Sequence, residues 1–391
     1  MSSNQALQKL LMGWRHHLHQ YPETGFEEHK TAEFVTQTLS NMGLEVTSGI
    51  GGTGLIASIS RGASDKAVAI RADMDALNIC EASNERQYIS QHHGKMHACG
   101  HDGHMAMVLG AAKLLTDNPN FDGTIRFLFQ PAEEHGCGAK AMMADGVFDR
   151  FPVNAIFGGH NMPGMQLGTI STRSGGIMAS EDNFEITIQG DGTHAARPHM
   201  GNDTMVVAAN IILALQTIVS RNVDPSQSAV LSCTEILTDG LRNAIPGRVI
   251  IKGDTRSYSK AIQVQLEERM RTIVDGICAA HNTSGTVSYT HEFAPTVNSE
   301  QYVPIAVEAA AKVVGRDHVE DNIQPMMISE DFGAFLEKIS GNFVFFGNGK
   351  QKDQGGTPLH NAHYDFNDDL LLIGAEYFAT VAKDALNQLN H

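Results

Sequence analysis

The sequence predicts an α/β protein: a mostly parallel sheet covered by helices on both faces, with a smaller α+β module inserted into it. Three observations lead there. Short, continuously apolar segments of strand length alternate with segments of helical composition. Four of those apolar segments run directly, or after a Gly-rich loop, into polar residues of chemical interest. From about Met178 the texture changes to alternating apolar and polar positions, the pattern of a sheet with one solvated face.

A chain of 391 residues exceeds what one core usually holds, and the texture divides it into 1–178, 179–292 and 293–391, the middle part being the insertion. Residues 5–20 and 27–41 read as amphipathic helices, closed by Tyr21-Pro22 and by Gly43. The run Gly49-Ile-Gly-Gly-Thr-Gly54 matches G-x-G-x-x-G, the fingerprint of a dinucleotide site. A strand-like segment, 55–60, follows it where that fingerprint needs a helix, so a glycine-rich β-turn is expected. Then come the four buried-type strands. Residues 67–72 lead into Asp73-Met-Asp75, 124–129 into Gln130-Pro-Ala-Glu133-Glu134, and 155–157 into Gly158-Gly-His160-Asn161. Residues 343–346 are followed, after a Gly-rich loop, by Leu359-His360-Asn361. Helices are predicted between them, at 103–115 and 138–146. Parallel sheets carry their sites outside the carboxyl ends of the strands, and all four polar clusters fall there. In the insertion, strands are expected at 184–189, 229–234, 248–254 and 286–290, with helices at 205–219 and 263–280. A helix at 302–314, the last core strand and a closing helix at 368–389 complete the first domain.

Composition narrows the function classes. Hydrophobic content of 42% and charged content of 18% describe an ordinary globular protein. A net charge of −16 disfavours nucleic acid or an acidic membrane as partner. The start lacks an apolar signal core and no stretch approaches about 18 uninterrupted apolar residues, so a cytoplasmic location is expected. Five scattered cysteines do not suggest a disulfide framework.

The densest chemistry lies in His97-Ala-Cys-Gly-His-Asp-Gly-His104, which opens a helix with Gly100 or Asp102 as its cap. Cys99 and His101 stand two apart on the turn before it, free to converge. Thiolate and imidazole together suit first-row transition metals. Further candidates are Glu134, His160 and His360, with Glu133 beside them. Each has a bland reading alone: a buried cysteine is usually a small hydrophobe, and a Glu-Glu pair is usually solvated. Together, at strand ends, they favour a metal site, since adjacent carboxylates repel unless a cation or proton lies between them. His16, His17 and His19 are expected to be surface or structural, His92 and His93 to flank a turn, and His97, His104 and His363 to stand near the site. Met105, Met107, Met142 and Met143 fall at helical spacing and read as core.

The blocks 97–104, Gln130-Pro-Ala-Glu-Glu134, Gly159-His-Asn161 and His360-Asn…Tyr364-Asp-Phe-Asn-Asp368 resemble the M20 metallopeptidase family. The likeness is to its amidohydrolase branch of hippurate hydrolases, N-acyl-L-amino acid amidohydrolases and indole-acetyl-amino acid hydrolases. It runs through nearly the whole chain in order. The resemblance implies a zinc-peptidase-like catalytic domain with an inserted lid and dimerisation domain. It implies that Cys99, His101, Glu134, His160 and His360 hold two divalent metals (Zn, Mn, Co or Ni), which acidify a water. Glu133 is then the general base, and Asp75 the carboxylate that orients a ligand histidine. His194, in Gly192-Thr-His-Ala-Ala-Arg-Pro-His199, would reach the partner subunit's active site and stabilise the oxyanion. Asn243 and Arg256 would contact the substrate carboxylate. The expected reaction is hydrolysis of N-acyl or N-aroyl-L-amino acids to a carboxylic acid and a free amino acid. The expected partners are that small-molecule substrate and a second copy of the chain.

A dipeptidase or N-acetyl-diaminopimelate deacetylase is the rival on the same scaffold. A non-catalytic metal-dependent binding protein is disfavoured because a pure binder needs no base at Glu133. Asn78, Thr193 and Gly247 depart from the family's usual pattern, none at an implied ligand, and bear on substrate preference and lid geometry.

Overall fold

Four parallel strands form the centre of an eight-stranded sheet: Gly123–Gln130, Ala67–Asp73, Ala155–Pro163 and Gly341–Gly349, adjacent in that order. They are the four strands whose ends carry the polar clusters. The computed structural model describes residues 3–82 and 86–391. The chain falls into two compact units, the first Met1–Ile177, Val297–Gln324 and Asp331–His391, the second Met178–Thr296 and Pro325–Glu330.

In the first unit, every residue of Ala67–Asp73 and of Gly341–Gly349 is buried, as expected of parallel strands covered on both faces. The antiparallel strands Gly54–Arg61 and Glu45–Ile50 extend one side of the sheet, and Ile170–Ser171 and Val319–Glu320 the other. Glu45–Ile50 is half-exposed and polar, as suits an edge. The glycine-rich run 49–54 is the turn joining the first two strands, with a strand after it where a dinucleotide fingerprint needs a helix. Helices Ser3–Gln20, His101–Asp117 and Leu370–Leu389 pack on one another. Because it lies between the others, His101–Asp117 is buried almost all round, at His101, Met105, Val108 and Leu109 among others.

That helix starts two residues earlier than predicted. Gly100, with φ 92°, is its N-cap, and Asp102 does not cap it. The Asp102 carboxylate is fully buried instead, 2.9 Å from His19 Nδ1 and 3.7 Å from Arg15 Nε. Two buried cationic groups from the first helix outcompete the backbone amides for it, and His19 is structural rather than surface.

The second unit holds a four-stranded antiparallel sheet in the order Ala229–Thr238, Arg248–Ser257, Glu181–Gln189, Ser284–Phe293. Helices Thr204–Thr217 and Lys260–Ala280 pack against it, joining Ile211, Leu215, Leu266 and Met270 to Ile186, Ile188, Val249 and Ile251. Asp203 caps the first of these by accepting from the Met205 and Val206 amides. The run Thr204–Asn222 is long and apolar enough to cross a membrane by length and composition. Here one of its faces covers the sheet, while Val206 and Leu213 on the other are 50% and 69% exposed.

Candidate active site

Gly100 turns the chain where a side chain could not fit: a Cβ there would come within 2.4 Å of Asn161 Nδ2 and 2.5 Å of Tyr364 Oη. Its left-handed φ adds a second reason for glycine. Around this turn the buried Asn161 forms a hub. Its Nδ2 donates to the Cys99 carbonyl at 2.7 Å, and its Oδ1 accepts from the Tyr364 hydroxyl at 2.7 Å. Its backbone amide donates to His104 Nε2 at 3.0 Å, which leaves the His104 proton on Nδ1, facing Asp73 Oδ1 at 2.7 Å. Burial raises the Asp73 carboxyl, but His101, His104 and Arg71 outweigh it and hold Asp73 well below the carboxylate range.

Against this scaffold the sequence-predicted residues converge. Ligand atoms of Cys99, His101 and His160 lie within 4.8 Å of one another, as do those of Cys99, Glu134 and His360. The two groups share Cys99. His101 Nδ1 lies 2.8 Å from the Asp75 carbonyl and 3.2 Å from its Oδ1. The one N–H points at the carbonyl, so the Asp75 carboxylate contributes charge rather than the main hydrogen bond. In the neutral ring a cation would require, this leaves the lone pair for Nε2, a buried atom with no hydrogen-bond partner, 4.0 Å from both Glu133 Oε2 and Glu134 Oε1. His160 donates Nδ1–H to the Asn161 carbonyl at 2.6 Å and turns Nε2 to Cys99 Sγ at 3.3 Å. His360, more exposed and at φ 60°, places Nε2 3.4 Å from Glu134 Oε1.

This donor set fits divalent cations. Two imidazoles turn Nε2 inward, and Glu134 Oε1 is buried without a hydrogen-bond partner. Burial, followed by the charges of Glu134, Glu133 and Asp73, pushes the Cys99 thiol well above its usual range. A bound cation reverses that balance and takes the thiolate. Burial pulls His101 down, but Asp73, Asp75 and Glu134 together carry it up to about 10. With that much negative charge around it the ring holds a second proton, on Nε2, which a bound cation would displace.

Residues 69–384 match the model of the peptidase family M20/M25/M40. The chain belongs to the M20 peptidase family. As an M20 peptidase it is an amide-bond hydrolase. It is 40% identical to the hippurate hydrolase of Campylobacter jejuni over 368 residues, 94% of each chain. It is also 40% identical to the N-acetyl-L-cysteine deacetylase of Bacillus subtilis over 374 residues, 95% of this chain and 87% of that one. Among solved structures it resembles a Bacillus subtilis protein described as a dinuclear metal binding peptidase of the M20 family. The TM-score is 0.84 at 33% identity, covering 98% of this chain and 99% of that one.

Three further residues expected at the M20 site lie in the second unit. His194 is exposed and pairs with Ala244 in a two-stranded ribbon. The Ala196 amide donates to its Nδ1 at 3.0 Å, which keeps the ring proton on Nε2. Asn243 is joined to the same ribbon, its carbonyl accepting from the Ala195 amide at 2.9 Å. Arg256 is half-buried and engaged: Nε lies 3.0 Å from Asp254 Oδ2 and a terminal nitrogen 2.9 Å from Glu181 Oε2.

Sequence reasoning did not assign Asp73, Asn161 or Tyr364 a part in this site. Asp73 and Asn161 stood inside blocks already singled out. Tyr364 stood inside the block 360–368 as well, but its partner lies 203 positions away and no local pattern points to it.

Proposed function

We propose that this chain is a dinuclear metal-dependent amidohydrolase that cleaves N-acyl and N-aroyl-L-amino acids into a carboxylic acid and a free amino acid. One observation carries it: two ligand groups share Cys99, with Glu133 beside the ligand carboxylate Glu134. Cys99, His101, Glu134, His160 and His360 would hold the cations, with Zn, Mn, Co and Ni all compatible with this donor set. When bound, two divalent cations supply Lewis-acid activation of water and of the amide carbonyl.

The remaining work falls to side chains. Glu133 takes the proton from the attacking water and returns it to the leaving nitrogen, as a general base and then acid. Asp75 orients His101 through its own carbonyl. His194, protonated on Nε2, donates a hydrogen bond to the developing oxyanion. Asn243 meets the α-carboxylate of the amino-acid half, and Arg256 joins it by exchanging Glu181 or Asp254 for the substrate.

A second copy of the chain completes the picture. Strand Ala229–Thr238 is an edge of its sheet, and the same unit exposes Val206, Leu213 and Ile236. An unpaired edge beside an apolar helix face suits two-fold pairing with an identical chain, and His194 would then serve the partner's site. The five cysteines are all free, which suits the reducing cytoplasm.

The deciding experiment is a hydrolysis screen of hippurate, N-acetyl amino acids, indole-acetyl conjugates and dipeptides. It is run after chelation and again with Mn, Zn, Co or Ni restored. Metal-dependent release of free amino acid from N-acyl substrates is expected. Turnover of dipeptides alone, or turnover undiminished by chelation, would overturn the reading.

A further inference from the structure

The loop that carries Glu133 and Glu134 is strained. Ala132 has φ 48°, in the left-handed region that alanine rarely occupies. Its amide donates at 2.9 Å to Glu28 Oε1, a fully buried carboxylate 104 positions away. The other oxygen, Glu28 Oε2, accepts from the Thr53 hydroxyl at 2.5 Å. On the far side of Glu133, the Glu134 amide donates to Asp75 Oδ2 at 3.1 Å. Glu133 thus sits between two backbone amides, each held by a buried carboxylate. Such charge-assisted bonds are about twice as strong as neutral ones.

The glycine-rich turn lies under the same loop. A Cβ on Gly54 would come within 2.9 Å of Pro131 Cδ, and one on Gly51 within 2.6 Å of the Met142 amide nitrogen. Gly51 also needs glycine for its φ of 63°. A Cβ on Gly25 would lie 2.7 Å from His135 Nδ1. Three segments, 24–28, 49–54 and 131–142, therefore interlock at distances that side chains would prevent. This gives the G-x-G-x-x-G run a purpose that nucleotide binding does not.

We propose that Glu28, braced by Thr53 in this turn, is a positioning residue that locks Ala132 in its left-handed conformation and so aims Glu133 and Glu134 at the site. The inference rests on the amidohydrolase reading for its consequence, but its physical content is the state of the Ala132 backbone.

The test compares Glu28→Leu, which removes the acceptor, with Glu28→Gln, which retains one. It adds Ala132→Gly in the Glu28→Leu background. In the chelated protein, amide exchange in peptides covering 130–136 should quicken at least tenfold in Glu28→Leu, by a clearly smaller factor in Glu28→Gln, and change little elsewhere. Titration with Mn²⁺ should show at least tenfold weaker binding in Glu28→Leu. Ala132→Gly should recover most of that loss, because glycine adopts the left-handed conformation without help. With hippurate, kcat should fall at least thirtyfold while KM stays within threefold. Unchanged exchange at 130–136, or no recovery of Mn²⁺ binding by Ala132→Gly, overturns the proposal. A wild-type protein that hydrolyses no N-acyl amino acid overturns the functional reading instead, and the exchange result still decides the positioning role. If Glu28→Leu does not fold, Thr53→Val removes one bond of the brace and should shift exchange in the same direction by a smaller factor.

Discussion

Cys99 Sγ lies 3.3 Å from His160 Nε2, although 61 positions separate the residues. One belongs to the turn before a helix and the other to a central parallel strand, so the contact exists only once the sheet has formed. Cys99 also belongs to the group with Glu134 and His360, so its loss should affect both cations. Cys99→Ser is expected to lower bound metal from two equivalents toward one or none, and activity by at least about a hundredfold. Metal analysis after dialysis against a weak chelator checks this.

Glu133→Gln should leave metal content unchanged and reduce kcat by about 10²–10⁴-fold, the usual contribution of a positioned general base. Parallel metal analysis and steady-state kinetics separate this from a loss of ligands. A variant that turns over at the wild-type rate would remove Glu133 from the chemistry.

His194→Ala is expected to retain metal and lose most of its activity. If the imidazole serves the partner's site, mixing this variant with Glu133→Gln should restore roughly a quarter of wild-type activity, since about half the dimers are mixed and each holds one intact site. Sedimentation of wild type against Leu213→Glu checks the dimer itself.

Asn161→Leu should destabilise the first unit strongly. It strips the Tyr364 hydroxyl and the Cys99 carbonyl of buried partners, at about 1–3 kcal/mol each. The urea midpoint should fall with little change in its slope.

His19 makes stability depend on pH. Burial lowers its pKa, but the charge and hydrogen bond of Asp102, with a further bond to Glu81, carry it up to about 9. An unfolded histidine titrates near about 6.5, so the folded state holds this proton more tightly. The stabilisation is complete below about 6.5 and is lost as pH rises through about 9. The melting temperature of the metal-free protein should fall between about pH 7 and 10, and His19→Gln should flatten that decline.

The sequence by itself determined the parallel sheet, the strand ends that bear chemistry, and Cys99, His101, Glu133, Glu134, His160 and His360 as residues that would meet. Those features are local: apolar runs of strand length, helices between them, and polar residues that a parallel sheet must bring to one edge. Only the tertiary structure decided the supporting atoms. Asp102 left its cap position for His19 and Arg15, Asn161 took Cys99 and Tyr364, and Glu28 took the Ala132 amide. Buried polar groups must find partners wherever the fold supplies them. Those partners lie 62 to 203 residues apart, so no local period or spacing records the pairing.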